Sequence, residues 1–381
     1  MDFDPATFLR DHWQKTPRLI RNPWPNWVNP LTPDELAGLA CEDGVESRLV
    51  RRTAPRSWDL TDGPLSSAQF AEVGAVPWTL LVQAVDHHVP DVAALLEPFR
   101  FIPNWRIDDV MVSYASDGGG VGPHFDQYDV FLVQGLGRRR WQVGPPCDER
   151  TPLLPHDSLR LLADFQPSEE WVLEPGDILY LPPGFAHDGI ALGDDCMTYS
   201  IGFRAPSRAE LVTGWADYVI DLLDDDDRYS DPELEPVVNP GEIAQEALDK
   251  LHHMVTEALA NRESFARWAG ALVTTPKYDL IDWAPEDAAT PQEIKDELVA
   301  GGILERNPAS RFGFIRSGPE GLTLFVDGQA HDCNGAVALF AEQLCDQASL
   351  NIDTAWAGSP EIVALICELA NSGSVAITSE D

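Results

Sequence analysis

Two glycine-led segments, 63 residues apart between their histidines, constrain this 381-residue chain more than any other feature. Gly118 to Asp126 reads GGGVGPHFD: a glycine, five residues, then His-x-Asp. Gly176 to His187 reads GDILYLPPGFAH: a glycine, five residues, Pro-x-Gly, two residues, then His. On a strand, residues two apart project from one face, so His124 and Asp126 point the same way. Pro182 and Pro183 cannot extend a sheet ladder and Gly184 permits a tight bend, which together end a strand and aim His187 back over the sheet. Each segment alone is weak evidence, but the two in this order predict three ligands delivered from separate strands to one mouth.

The flanking sequence supplies the strands. From about Trp105 to Phe203 the chain reads as short strands punctuated by Gly and Pro: DDVMVSYAS, YDVFLVQG, RRRWQVG, WVLEPGDILYLP and MTYSIGFRA. Many strands at close spacing with such turns indicate a sandwich or barrel. Before them, residues 1–90 mix turns with short helices. One covers Pro5 to Gln14 with Asp4 as N-cap, and another runs from Pro33 through Leu39 with Thr32 as cap. The break at Ala205-Pro206-Ser207 opens a helical region, 208–275, interrupted by the polar run DDDDRYSDPELEPVVNPG. Within it Ile243, Ala247, Leu251, Met254, Val255, Ala258 and Leu259 form one apolar stripe. Such a stripe must be covered, by the same chain or by a second copy. Residues 276–381 then read helix, hairpin around Asp327-Gly328, helices and a last strand, an order compatible with a winged-helix-like module. The expected division is a catalytic barrel at 1–207, a helical dimerisation region at 208–275 and a winged-helix-like unit at 276–381, an α+β chain overall.

Two imidazoles and one carboxylate make the facial triad of a non-haem Fe(II) site, with about three positions of an octahedral ion open for co-substrate and O₂. The segments fit the paired motifs of cupin barrels. Many cupins add a glutamate a few residues after the first motif, but Val130 and Phe131 stand there, so only His124, Asp126 and His187 remain as ligands. A lone histidine is more often a hydrogen-bonded core or surface residue, and the seven others stay unassigned. A 2-oxoglutarate co-substrate needs a cation for its distal carboxylate. Period-2 alternation along RRRWQV puts Arg139 on the face of Trp141 and Val143, with Arg138 and Arg140 opposite. That makes Arg139 the bidentate clamp, whereas Arg138 and Arg140 read as a basic edge. Ser113, on one face with Met111, could add a hydroxyl.

Composition bounds the partners. The net charge of −37 repels phosphates, so free nucleic acid is an unexpected ligand. The charge reads as a salt-adapted surface, or as a field that steers a basic protein. Lysine occurs only at Lys15, Lys250, Lys277 and Lys295. No stretch reaches the roughly 20 apolar residues of a membrane span. The N-terminus lacks a signal peptide's basic and apolar regions, and six scattered cysteines suit a reducing compartment, the cytoplasm.

The strings HWQKTP, SRLV, WTLLVQAV, WRIDD, GGGVGPHFDQYDVFLVQGLGRRRW and EPGDILYLPPGFAHDG resemble the bacterial ribosomal oxygenases of the Jumonji-C (cupin) superfamily. The resemblance covers nearly the whole chain and is most specific over 105–204. It implies a double-stranded β-helix barrel and a homodimer held by the helical region. It also implies Fe(II)- and 2-oxoglutarate-dependent hydroxylation, the bacterial type acting on the β-carbon of an arginine in large-subunit ribosomal protein sixteen. The iron ligands carry over onto His124, Asp126 and His187, and the 2-oxoglutarate arginine onto Arg139. For an arginine substrate, polar groups near the mouth should hold the guanidinium; Asp117, Gln127 and Tyr128 are candidates, although Asp117 could instead cap the glycine-rich turn. The alternatives are a histidyl hydroxylase of a ribosomal protein and a non-catalytic cupin-type binding module.

Overall fold

The computed structural model of the chain describes residues 3–24, 26–278 and 281–378. Four short helices, α1 (Pro5–Asp11), α2 (Pro33–Leu39), α3 (Ser67–Ala71) and α4 (Pro90–Ala93), and nine strands fill the first half. The strands are β1 (Arg18–Ile20), β2 (Ser47–Ala54), β3 (Ser57–Asp62), β4 (Trp78–Val82), β5 (Ile107–Ala115), β6 (Asp129–Pro146), β7 (Glu169–Leu173), β8 (Ile178–Leu181) and β9 (Phe185–Phe203). They form one antiparallel sheet in the order β1-β8-β6-β9-β5-β4-β2-β3, with β7 on β6. Asp4 caps α1 by accepting from the Ala6 and Thr7 amides and Thr32 caps α2, both as expected, with Glu35 completing a capping box; α1 ends at Asp11, short of the expected Gln14.

The segments YDVFLVQG and RRRWQVG are not two strands. Both lie on β6, an 18-residue strand whose pairing with β9 shifts register around Gly135, Gly137 and Gly144. Bulges of this kind bend a strand without ending it, so β6 and β9 each serve two layers of the double-stranded β-helix. Beneath the sheet lies an aromatic core. Phe131 packs 5.3 Å from Phe8, 4.7 Å from Phe99 and 5.0 Å from Tyr180. The fully buried Asp129 beside them is satisfied by the Tyr180 hydroxyl at 2.6 Å, Gln14 at 3.0 Å and Arg106 at 3.1 Å, as a buried carboxylate requires.

The remaining elements are α5 (Arg208–Ile220), α6 (Gln245–Leu259), α7 (Arg262–Thr274), α8 (Pro291–Val299), β10 (Ile303–Arg306), β11 (Phe312–Arg316), β12 (Gly321–Val326), β13 (Gln329–Asn334), α9 (Ala336–Asp346), β14 (Ser349–Asn351), α10 (Thr354–Ala357), α11 (Pro360–Asn371) and β15 (Val375–Thr378). Their grouping crosses the boundaries read from the sequence. One compact unit joins Met1–Ala205 with Pro276–Ser310 and Ala348–Asp381; the other joins Pro206–Thr275 with Arg311–Gln347. In the second unit Trp215 of α5 and Trp268 of α7 meet at 5.5 Å. Gly270 of α7 lies directly under Phe325 of β12, where a Cβ would come within 2.4 Å of the ring. That close approach is why α7 carries a glycine there, and why the β11–β12–β13 meander belongs with α7. The stripe on α6 is covered only in part: Ala258 packs against the Trp215–Val219–Trp268 cluster and Ala247 and Met254 are half-buried, while Leu251, Val255 and Leu259, with Leu248 beside them, are exposed. No described helix is long and apolar enough to cross a membrane, and all six cysteines are free thiols.

Candidate metal centre and active-site cavity

The glycine-rich loop before His124 is shaped by backbone contact. A Cβ on Gly120 would meet the Gly189 carbonyl at 2.4 Å, and Gly122, at φ +88°, lies against Trp58. Only glycine lets the loop press so closely on β9. His124 and His187 thereby become an antiparallel bridge pair, each amide donating to the other's carbonyl at 3.0 and 2.8 Å. Their rings lie 4.3 Å apart. The ligand atoms of His124, Asp126 and His187 all fall within 4.8 Å of one another. From Asp126 Oδ2, His124 Nε2 is 3.9 Å away and His187 Nε2 3.6 Å.

The geometry also settles the tautomers. His124 Nδ1 lies 2.8 Å from the Gly122 carbonyl and His187 Nδ1 2.9 Å from that of Phe185. A carbonyl only accepts, so each Nδ1 carries the proton and each Nε2 turns its lone pair to the centre. Burial, with the neighbouring His124, pushes the His187 pKa down to about 4, so its imidazole is neutral, the form that binds a metal. Two imidazoles with Nε2 toward the centre and one carboxylate fit a divalent iron.

The triad opens into a cavity of about 370 Å³, within the roughly 300–1,000 Å³ common for small-ligand sites. Arg139 lines it and is 4 % exposed, whereas Arg138 is exposed and Arg140 half-buried. The alternation read along this strand holds, with Trp141 and Val143 buried on the same face. Arg139 donates Nε–H to Cys196 Sγ at 3.4 Å, and its Nη2 is buried without a hydrogen-bond partner. An orphaned guanidinium nitrogen on a cavity wall calls for an acidic ligand, which a dicarboxylate co-substrate supplies. Ser113 also lines the cavity and is buried, its hydroxyl 3.4 Å from the Thr198 carbonyl.

Of the three expected substrate contacts, the structure brings only Tyr128 to the cavity wall. Gln127 is exposed and lines none of it. Asp117 is a turn clamp: its Oδ1 accepts the Gly193 amide at 2.6 Å and its own amide donates to Asp194 at 3.2 Å. This matches the turn-capping alternative read from the sequence, with the side chain turned toward the β9 hairpin. Asp117→Ala is expected to cost about 0.5–1.5 kcal/mol of stability while leaving the KM for any substrate unchanged, as thermal melts and steady-state kinetics would show.

The acids that do line the cavity are Asp108 and Asp109, accompanied by Lys277. A register shift between Ile107 and Val110 in the β5–β9 pairing turns both members of the doublet to this wall. A doublet at the start of a strand was the available signal, but simple alternation would have sent one of the two away.

Residues 94–211 match the JmjC domain family and residues 257–376 the ROXA-like winged helix, a span that takes in α7 together with the meander it packs against. The chain is 40% identical to the ribosomal protein uL16 3-hydroxylase of Escherichia coli over 96% of its own length and 95% of that protein's. The solved structure of E. coli YcfD superposes with a TM-score of 0.88 at 39% identity, covering 99% of this chain and 98% of that one. A second structure, of E. coli YcfD as a ribosomal oxygenase in complex with cobalt and 2-oxoglutarate, superposes at 0.87 and 38% identity over 100% and 99%. With the His-Asp-His cluster, the arginine-walled cavity and this full-length similarity, the chain belongs to the JmjC ribosomal oxygenases.

Proposed function

We propose that the protein is an Fe(II)- and 2-oxoglutarate-dependent hydroxylase of ribosomal protein uL16, acting at the β-carbon of an arginine. The observation that carries this reading is one cavity holding both a three-residue metal cluster and a buried arginine whose Nη2 has no hydrogen-bond partner. His124, Asp126 and His187 would hold the iron, and Arg139, with Ser113 nearby, would take the distal carboxylate of the co-substrate. Iron held there would supply O₂ activation coupled to conversion of 2-oxoglutarate to succinate and CO₂, with one oxygen atom destined for succinate and the other for the substrate hydroxyl.

The chain's own residues set the geometry. The Gly122 and Phe185 carbonyls fix the imidazole planes by holding each Nδ1–H. Val130, Leu132 and Trp141 wall the same cavity and keep bulk water from the reacting carbon. Asp109, on the cavity wall, offers a carboxylate oxygen to a cationic side chain, which favours arginine over histidine, whose neutral imidazole makes no ion pair with it. A basic ribosomal protein also suits a chain of net charge −37, and such a substrate together with six free thiols supports a cytoplasmic location. We assign no nucleic-acid partner, on the same charge.

The test is reconstitution with Fe(II) and 2-oxoglutarate, then air, with a peptide from the arginine-bearing loop of uL16. One added oxygen on arginine supports the reading; oxygen on histidine would replace it with the histidyl version. Failure to bind either Fe(II) or 2-oxoglutarate would leave a non-catalytic binding module.

The exposed part of the α6 stripe, Leu251, Val255 and Leu259, supports a homodimer built through the 208–275 region, since contiguous exposed apolar faces of this kind mark interfaces. Sedimentation is expected to give twice the 42.0 kDa chain mass, and Leu251→Glu with Val255→Glu to give the single chain.

A further inference from the structure

The acid pair in the cavity is not bare. Lys277 Nζ lies 2.8 Å from Asp108 Oδ2 and 3.1 Å from Asp109 Oδ2. Asp108 Oδ1 is engaged in turn by Arg204 Nε at 3.3 Å, and Asp109 Oδ2 also accepts the Ala84 amide at 3.0 Å. Three of the four carboxylate oxygens are therefore committed within the chain. Asp109 Oδ1 accepts no hydrogen bond among the described residues and remains the open acceptor on this wall. Asp109 is 4 % exposed, and burial pushes its carboxyl toward the neutral acid, a tendency Asp108 reinforces and Lys277 opposes. A neutral acid would lose the charge-assisted bond that distinguishes a guanidinium from an uncharged isostere.

We propose that Lys277 is a specificity-determining positioning residue, bridging Asp108 and Asp109 so that Asp109 presents an oriented, ionised oxygen to the cationic side chain of the substrate. The proposal rests on the reading that this side chain is an arginine. Lys277 reaches the pair from 168 residues beyond Asp109 in the chain, and Tyr278 beside it is tied down by its hydroxyl, which donates to Glu46 at 2.9 Å. The ammonium is thus delivered from an anchored segment. Lysine suits the task because its compact charge with three rotatable donors can serve two carboxylates at once.

The test compares full-length wild type, Lys277→Met and Lys277→Arg on the uL16 loop peptide and on the same peptide with citrulline replacing the arginine. Peptide affinity is read by fluorescence polarisation without iron, and turnover by mass. In Lys277→Met, the arginine-peptide Kd and KM are expected to rise about tenfold, the loss of one charge-assisted bond. The arginine-over-citrulline preference should collapse by the same factor while the KM for 2-oxoglutarate stays put, and Lys277→Arg should restore most of the preference. An unchanged or sharpened preference in Lys277→Met, in protein whose thermal melt shows it folded, would overturn the proposal and make Lys277 a structural tie or a cation competing with substrate. Wild-type protein that ignores the arginine peptide would instead overturn the underlying substrate reading, and this proposal with it.

Discussion

His187→Ala is expected to remove iron binding and hydroxylation together. His187 is 3 % exposed, its Nδ1–H is held by the Phe185 carbonyl, and its Nε2 faces Asp126 at 3.6 Å. Losing one of three protein ligands exceeds the loss of an outer partner, which alone costs about 10–100-fold in affinity or activity. The expected decrease in Fe(II) affinity is therefore more than about 100-fold, read by metal titration under anaerobic conditions, with product mass below detection. The fold should survive, because the backbone bridge to His124 does not need the ring. A unimodal thermal melt would separate metal loss from unfolding. Undiminished Fe(II) affinity in the folded variant would mean that the three side chains are not the metal site.

What was legible in the sequence divides along a physical line. Arg139 could be placed because alternation is a local property of a strand, and the buried Trp141 and Val143 mark the inner face unambiguously. The triad was legible because a bend at Pro182–Gly184 and a glycine loop pressed against β9 both leave traces in residue type. The substrate wall left no such trace. Asp108 and Asp109 share it through an irregularity in pairing, and whether a strand bulges depends on its partner rather than on its own residues. Lys277 arrives by tertiary packing alone. Asp117 takes the capping role that the sequence also allowed: seven positions from His124, it accepts a hairpin amide. The continuous β6 follows the same logic: glycines at 135, 137 and 144 read as breaks, yet the strand keeps its ladder and absorbs them as bends.

Arg139→Ala is expected to raise the KM for 2-oxoglutarate about 100-fold while leaving Fe(II) affinity nearly unchanged. The guanidinium is held over Trp141, 5.8 Å from the ring centroid, and by Cys196 Sγ. A thiol sulfur is a weak acceptor, so most of the guanidinium's donor capacity remains for a ligand. Truncating one partner of a buried, hydrogen-bonded charge pair costs about 2–5 kcal/mol, and the lower half of that range corresponds to the predicted factor. Lysine keeps the charge but not the planar fork, so Arg139→Lys should fall between wild type and alanine. Cys196→Ala removes only the weak Nε contact and should shift the KM by a few-fold at most, leaving the guanidinium's stacking on Trp141 in place. Succinate formation at varied 2-oxoglutarate gives this order directly, with iron affinity as the control. If Arg139→Ala kept the wild-type KM, the co-substrate carboxylate would have to pair with Arg48, Arg160 or Lys277, the other cations lining the cavity.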